Sequence, residues 1–273
     1  MAIVIPPDLR DFHKVFERTQ YTHDSGEVLD TLLEFVLWSF CADKSLDWAG
    51  GQRFKENERP IFWELVQAWV AVMNAKIKAD GDWYDLPGTY YEAYVASKSR
   101  RDSRGQFFTP EHICTLMAKI NGCEDDTTGK TISDTCCGSG RFLLAYHAFS
   151  PGNFMVAEDV DRTCCLMTVC NFLFHGVVGE VVWHDSLMPE SWHYGWRVNA
   201  NLNNPPHPLN GIPHVETLQK ENSRVWRHWE ARRREVEVEC QQVPVPVIAQ
   251  VDVPVIAPPS APQQIQIQQL TLF

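Results

Sequence analysis

The sequence predicts an α/β protein in which a helical N-terminal part precedes a parallel sheet. Three observations carry this. Two long stretches in the first hundred residues repeat apolar side chains at helical spacing. From about residue 130 the pattern changes to short apolar runs separated by helical stretches. Strands that alternate with helices build parallel βαβ units with right-handed crossovers.

Taken in order, residues 28–43, beginning "VLDTLLEFVLWSFC", and residues 60–79, "PIFWELVQAWVAVMNAKIKA", read as helices, with Pro60 suited to a helix start. "TISD" (131–134), "FMVAE" (154–158), "EVVWH" (180–184) and "RVNANL" (197–202) read as four strands. "RFLLAYHAF" (141–149) and "RTCCLMTVCNFLFHG" (162–176) read as the helices between them. Beyond about residue 215 comes one polar helix rich in Arg, Glu and Trp, and from 242 a Pro-, Val- and Gln-rich tail with almost no charge, extended or flexible by composition. The expected domains are a helical part at 1–95, an α/β domain at 96–240 and a tail at 241–273.

With 273 residues, 44% of them hydrophobic and 11% aromatic, the chain can bury a sizeable core. No apolar run approaches the ~18 residues of a membrane span, and "MAIVIPPDLRD" lacks a basic region followed by an apolar core. The expectation is a cytoplasmic protein without a membrane partner. Nine cysteines, several in adjacent pairs within apolar segments and none in a C-x-x-C pair, read as reduced buried thiols. A net charge of −11 argues mildly against nucleic acid. "KSRRDSR" (98–104) and "RVWRHWEARRR" (224–234) nevertheless concentrate positive charge, and Lys98, Arg100, Arg101 and Arg104 are candidate DNA contacts. The second stretch reads equally well as an amphipathic surface helix or as a stacking and arginine surface for DNA.

Ligands of an open parallel sheet bind outside the carboxyl ends of its strands. The first strand is followed by Asp134-Thr135-Cys136-Cys137-Gly138-Ser139-Gly140, a glycine turn that opens a helix. The third glycine of a dinucleotide fingerprint is absent, since position 143 is Leu143, and this disfavours a nicotinamide-dependent enzyme. Glu158-Asp159 follows the second strand, placed for ribose hydroxyls, and His184-Asp185-Ser186 follows the third. Asn203-Asn204-Pro205-Pro206-His207 follows the fourth. Each could be an ordinary cap or turn, but four polar groups at four consecutive strand ends point to a site. His184, Asp185 and His207 lack close ligand spacing, so no metal is expected.

"GQFFTP" (105–110), "DTCCGSGRFLL", "AEDVD", "HDSL" and "NNPPH", in that order, resemble the motifs of S-adenosylmethionine-dependent adenine-N6 DNA methyltransferases, above all the modification subunits of type I restriction systems. The resemblance runs from about residue 85 to 207. It implies a Rossmann-like methyltransferase sheet, here cut short after its fourth strand, and S-adenosylmethionine as cofactor. By the same resemblance Phe108, Thr109 and Pro110 would hold the methionine part of the cofactor. Asp134, Cys136, Gly138 and Gly140 would cradle it from the first strand, with Asp134 near its amino group. Asp159 would hold the ribose and Asp185 the adenine amino group. Asn204 and the carbonyl of Pro205 would accept the two N–H bonds of a target adenine extruded from the duplex, aiming its lone pair at the methyl group. Pro206 stiffens this segment.

The sequence departs from the family in two ways. His207 stands where the family usually has a Phe or Tyr that stacks on the base, and after residue 207, where the family fold continues through further strands and a sequence-selecting region, the expectation here is one helix and a tail. The expected function is adenine-N6 methylation of DNA, with a specificity or restriction subunit as partner. A catalytically impaired cofactor- or DNA-binding remnant is the alternative. The last residues, "QLTLF", resemble the peptide by which bacterial polymerases and repair proteins bind the sliding clamp, with Gln269 as polar anchor and Leu270, Leu272 and Phe273 filling its groove.

Overall fold

The computed structural model of the protein describes residues 5–19, 24–41, 54–96, 108–122 and 128–242. Residues Met1–Arg232 form one compact unit and Arg233–Phe273 a second. The first unit opens with helices α1 (Arg10–Thr19), α2 (Ser25–Phe40) and α3 (Arg59–Asp80), the last carrying Pro60 in its first turn. Phe12 and Phe16 of α1 each set their rings 4.8 Å from Tyr90, edge-on, in the short helix α4 (Leu86–Tyr90). A π-helical turn, Tyr91–Val95, continues α4, and α5 (Glu111–Asn121) begins directly after Pro110.

Five strands form one sheet in the order β1 (Thr131–Asp134), β2 (Phe154–Asp159), β3 (Gly179–Trp183), β4 (Tyr194–Val198), β5 (Val215–Thr217). Helices α6 (Arg141–Phe149) and α7 (Arg162–His175) are the crossovers of the parallel β1–β2–β3 part, and they pack on one another. Two successive right-handed crossovers in one direction place both helices on the same face of the sheet. The N-terminal helices join this layer. Arg162 at the start of α7 donates to Glu34 of α2 at 2.8 Å, and the Thr163 hydroxyl donates to Asp30 at 2.7 Å. One cluster of buried apolar side chains runs from Leu9 through Trp69 and Phe172 to Val215.

The fourth strand departs from expectation in place and direction. It covers Tyr194–Val198, not 197–202, and it pairs antiparallel with β3, Trp183 facing Tyr194 and Gly179 facing Val198. Only ten residues separate Trp183 from Tyr194. A parallel partner needs a crossover of a dozen residues or more, usually a helix, whereas a short connection returns the chain antiparallel. Asn199 then ends the strand. It is fully buried with φ of 55°, a left-handed conformation that Asn tolerates, and its side chain donates to the carbonyls of Phe172 and Val177 and accepts from the His214 amide. The sheet does not stop there, because β5 adds a fifth strand antiparallel to β4. The polar helix expected after 215 is α8 (Arg224–Gln242).

Candidate active site

The turn after β1 is the centre of the site. Gly138 has φ of 56° and Gly140 has φ of 84°, both in the left-handed region where a side chain is strained. Space is short as well: a Cβ at Gly138 would lie 2.9 Å from the Phe108 ring, and one at Gly140 would lie 3.0 Å from Thr168. The turn is tied to β2. The Gly138 amide donates to Asp159 Oδ2 at 2.9 Å, and the Cys137 amide donates to the Glu158 carbonyl at 2.9 Å. Asp134 accepts from the Cys136 amide at 3.2 Å, and the Cys136 side chain itself is exposed.

Asp134 and Asp159 are therefore neighbours at the carboxyl edge of the parallel strands. Burial raises the pKa of both. The Cys136 amide opposes the shift at Asp134 while Glu158 adds to it, and at Asp159 the amides of Asp161 and Gly138 oppose it while Asp161 and Asp134 add to it. Asp185 lies at the end of β3 on the same edge and accepts from the Leu187 amide at 2.9 Å. Val160 and Leu187, apolar yet 68% and 90% exposed, flank these carboxylates in sequence. Thr109 and Pro110 lead into α5, with the Thr109 carbonyl accepting from Arg141 at 3.4 Å.

The structure does not bring Asn204, Pro205, Pro206 and His207 to that edge. Because β4 runs antiparallel, the residues after Val198 leave at the amino ends of β2 and β3. There Asn203 lines a cavity of about 310 Å³ with Gly129, Gly152, Phe154, Gly176 and Val178. The expectation that four strand ends share one edge thus fails for the fourth. Asn204 and both prolines are exposed in a chain of turns: the His207 amide donates to the Asn204 carbonyl at 2.8 Å, and Asn204 Nδ2 donates to Asn201 at 3.3 Å. The His207 ring accepts from the Leu209 amide at 3.1 Å.

Several polar pairings escaped the sequence reading because the partners are remote in the chain. His184 and Glu158 form a buried contact of 2.8 Å. Asp85, fully buried, gathers Ser139, Arg141 and Asn171 around its carboxylate. Glu180 Oε1 accepts from the Arg224 and Val225 amides at the start of α8. Among the described residues no group of His, Cys, Asp and Glu is arranged to hold a metal. Cys41, Cys114, Cys137, Cys164, Cys165 and Cys170 are buried, and burial pushes the Cys114 thiol up to about 11. Lys98, Arg100, Arg101 and Arg104, and Gln269, Leu270, Leu272 and Phe273 of the tail, lie outside the described residues. Among those described, no helix is long and apolar enough to cross a membrane.

A family model described as N-6 DNA Methylase matches residues 83–235, more than half of the chain and the whole of the site above. The type I restriction enzyme MjaVIII methylase subunit of Methanocaldococcus jannaschii is 28% identical over 100 residues, 34% of this chain and 16% of that protein. The chain thus spans a minor part of that relative's length. The crystal structure of the type I restriction-modification system methyltransferase subunit from Streptococcus thermophilus aligns with 65% of this chain and 39% of its own. Its identity is 21% and its TM-score 0.30, too low to bear on the details of the fold.

Proposed function

Because the chain belongs to the N-6 DNA methylase family, we propose that it transfers a methyl group from S-adenosylmethionine to the N6 amine of adenine in DNA. The observation that carries this reading is the Gly138–Gly140 turn, held between the Phe108 ring and two part-buried carboxylates within the matched segment. These residues suit the cofactor. A glycine that tolerates no Cβ leaves bare backbone for close approach. Asp134 supplies an anionic acceptor for an ammonium group. Asp159 already accepts two amides, yet its two oxygens offer about four acceptor sites, which leaves capacity for ribose hydroxyls. Val160 and Leu187 offer apolar surface to a purine ring. When bound, the cofactor supplies an electrophilic methyl group on a sulfonium sulfur.

In this proposal Asn204 and the Pro205 carbonyl accept hydrogen bonds from the two N–H groups of the adenine amine and His207 stacks on the base, which requires their segment to move from the amino edge of the sheet to the cofactor edge. The antiparallel β4 favours a second reading beside it, a remnant of the same fold that binds cofactor or DNA without transfer, because Asn204 leaves the sheet at the opposite edge. DNA, a specificity or restriction subunit and a cytoplasmic setting belong to the main proposal. Docking of Gln269, Leu270, Leu272 and Phe273 on a bacterial sliding clamp is a separate proposal resting on sequence alone. The deciding experiment incubates pure protein with methyl-labelled cofactor and adenine-containing duplex, alongside calorimetry of the cofactor. Label in N6-methyladenine supports the first reading. Cofactor binding without transfer supports the second, and absence of both contradicts each.

A further inference from the structure

Asp85 is at the N-cap of α4 with 0% exposure, so its carboxylate meets no solvent and no ligand. It accepts from the Gly88 amide at 2.9 Å, the Ser139 hydroxyl at 2.5 Å, Arg141 Nε at 2.7 Å and Asn171 Nδ2 at 2.8 Å. Four donors match the acceptor capacity of one carboxylate. Apart from Gly88 they come from the glycine turn, the start of α6 and the middle of α7. Gly88 sits so close that a Cβ there would collide with both Asp85 and Ser139. Arg141 extends the array. Its guanidinium donates to Glu92 at 2.8 Å and to the Thr109 carbonyl at 3.4 Å, and lies 5.4 Å from the centre of the Phe108 ring.

One charged pair therefore links two segments that meet at Gly138, the turn 138–140 and the stretch 108–110. We propose that Asp85, acting through Arg141 and Ser139, is the positioning residue that sets the methionine-facing half of the cofactor site. This rests on the cofactor reading above. The other half, at the tips of β2 and β3, meets the turn through the Gly138 amide, which donates to Asp159, while neither Asp159 nor Asp185 bonds to Asp85, Ser139 or Arg141. A purely structural role would weaken both halves together, whereas a positioning role weakens one.

The test is calorimetry on the full chain with two probes. S-adenosylhomocysteine carries the amino-acid part; 5′-methylthioadenosine lacks it. Asp85→Asn keeps the shape and removes the charge. The expected result is a loss of about tenfold or more for S-adenosylhomocysteine, the scale of a charge-assisted hydrogen bond, with 5′-methylthioadenosine changed by less than about twofold. Equal losses for both probes, or none for either, overturn the proposal. If Asp85→Asn fails to fold by circular dichroism, Ser139→Ala removes a single bond of the array and is expected to show the same selectivity at about threefold. Equal or absent losses there overturn it too. Wild-type protein that binds neither probe contradicts the cofactor reading itself, a different outcome from unselective loss.

Discussion

At the scale of single residues, the site keeps its carboxylates where water is scarce, and this has a sign. Burial raises the pKa of Asp134, and the Cys136 amide offsets only part of the shift. A carboxylate whose folded pKa exceeds its unfolded value contributes stability below the unfolded value, and that contribution is lost as pH rises through the folded one. At neutral pH the ionised Asp134 therefore works against folding. Asp134→Asn, which can still accept from Cys136, is expected to melt at a higher temperature than wild type at pH 7 by calorimetry. The same variant should bind S-adenosylhomocysteine at least about tenfold more weakly, since the anionic partner of the ammonium is gone. A lower melting temperature, or unchanged affinity, would count against this account of Asp134. By the same sign, wild-type affinity for the cofactor should fade on acidification at a pH above the ordinary aspartate value. Asn204→Ala tests the base-facing role: cofactor affinity should stay within about twofold while methyl transfer drops at least about a hundredfold. Undiminished transfer would remove Asn204 from the mechanism. The glycine turn and the acidic residues after β1 and β2 were legible in the sequence, because a tight turn writes its requirement into adjacent positions. Asp85 was not, since Ser139 and Arg141 lie 54 and 56 residues from it.

At the scale of elements, β1, α6, β2 and α7 sit where apolar periodicity and flanking glycines put them, because each is a complete crossover unit with local signals. The fourth strand was misread for a reason also present in the chain. An apolar run announces a strand without its direction, and the ten residues after β3 leave no room for a crossover helix. The start of α8 depends on a remote partner as well. Glu180 of β3, fully buried, accepts from the Ser223 hydroxyl at 2.9 Å and from the Arg224 and Val225 amides at 2.7 and 3.1 Å. A carboxylate there answers the unsatisfied amides and positive end of the helix dipole. Glu180→Ala is expected to cost about 2–3 kcal/mol in urea unfolding, because it strands buried donors, whereas Glu180→Gln keeps an acceptor and should cost less. Equal costs for the two variants would contradict the capping role.

At the scale of the whole molecule, the N-terminal helices and the sheet fold as one unit with a shared core, tied by the Arg162–Glu34 ion pair and the Asp85 array. The helices are therefore part of what shapes the cofactor edge. The sequence separated them at residue 95 because the change from helical to strand periodicity is visible in one dimension, while the core joining them is not. The antiparallel β4 divides the site residues between two edges of the sheet, the carboxylates at one and the Asn204 segment at the other. The proposed function places the cofactor at the carboxyl edge of β1, β2 and β3. Hydrogen–deuterium exchange of the full chain with and without S-adenosylhomocysteine reads this position directly. Protection is expected in peptides covering 134–141, 159–162 and 185–188, with little change across 199–212. Protection confined to 199–212, or absent from the 134–141 turn in protein that binds the probe, would contradict it.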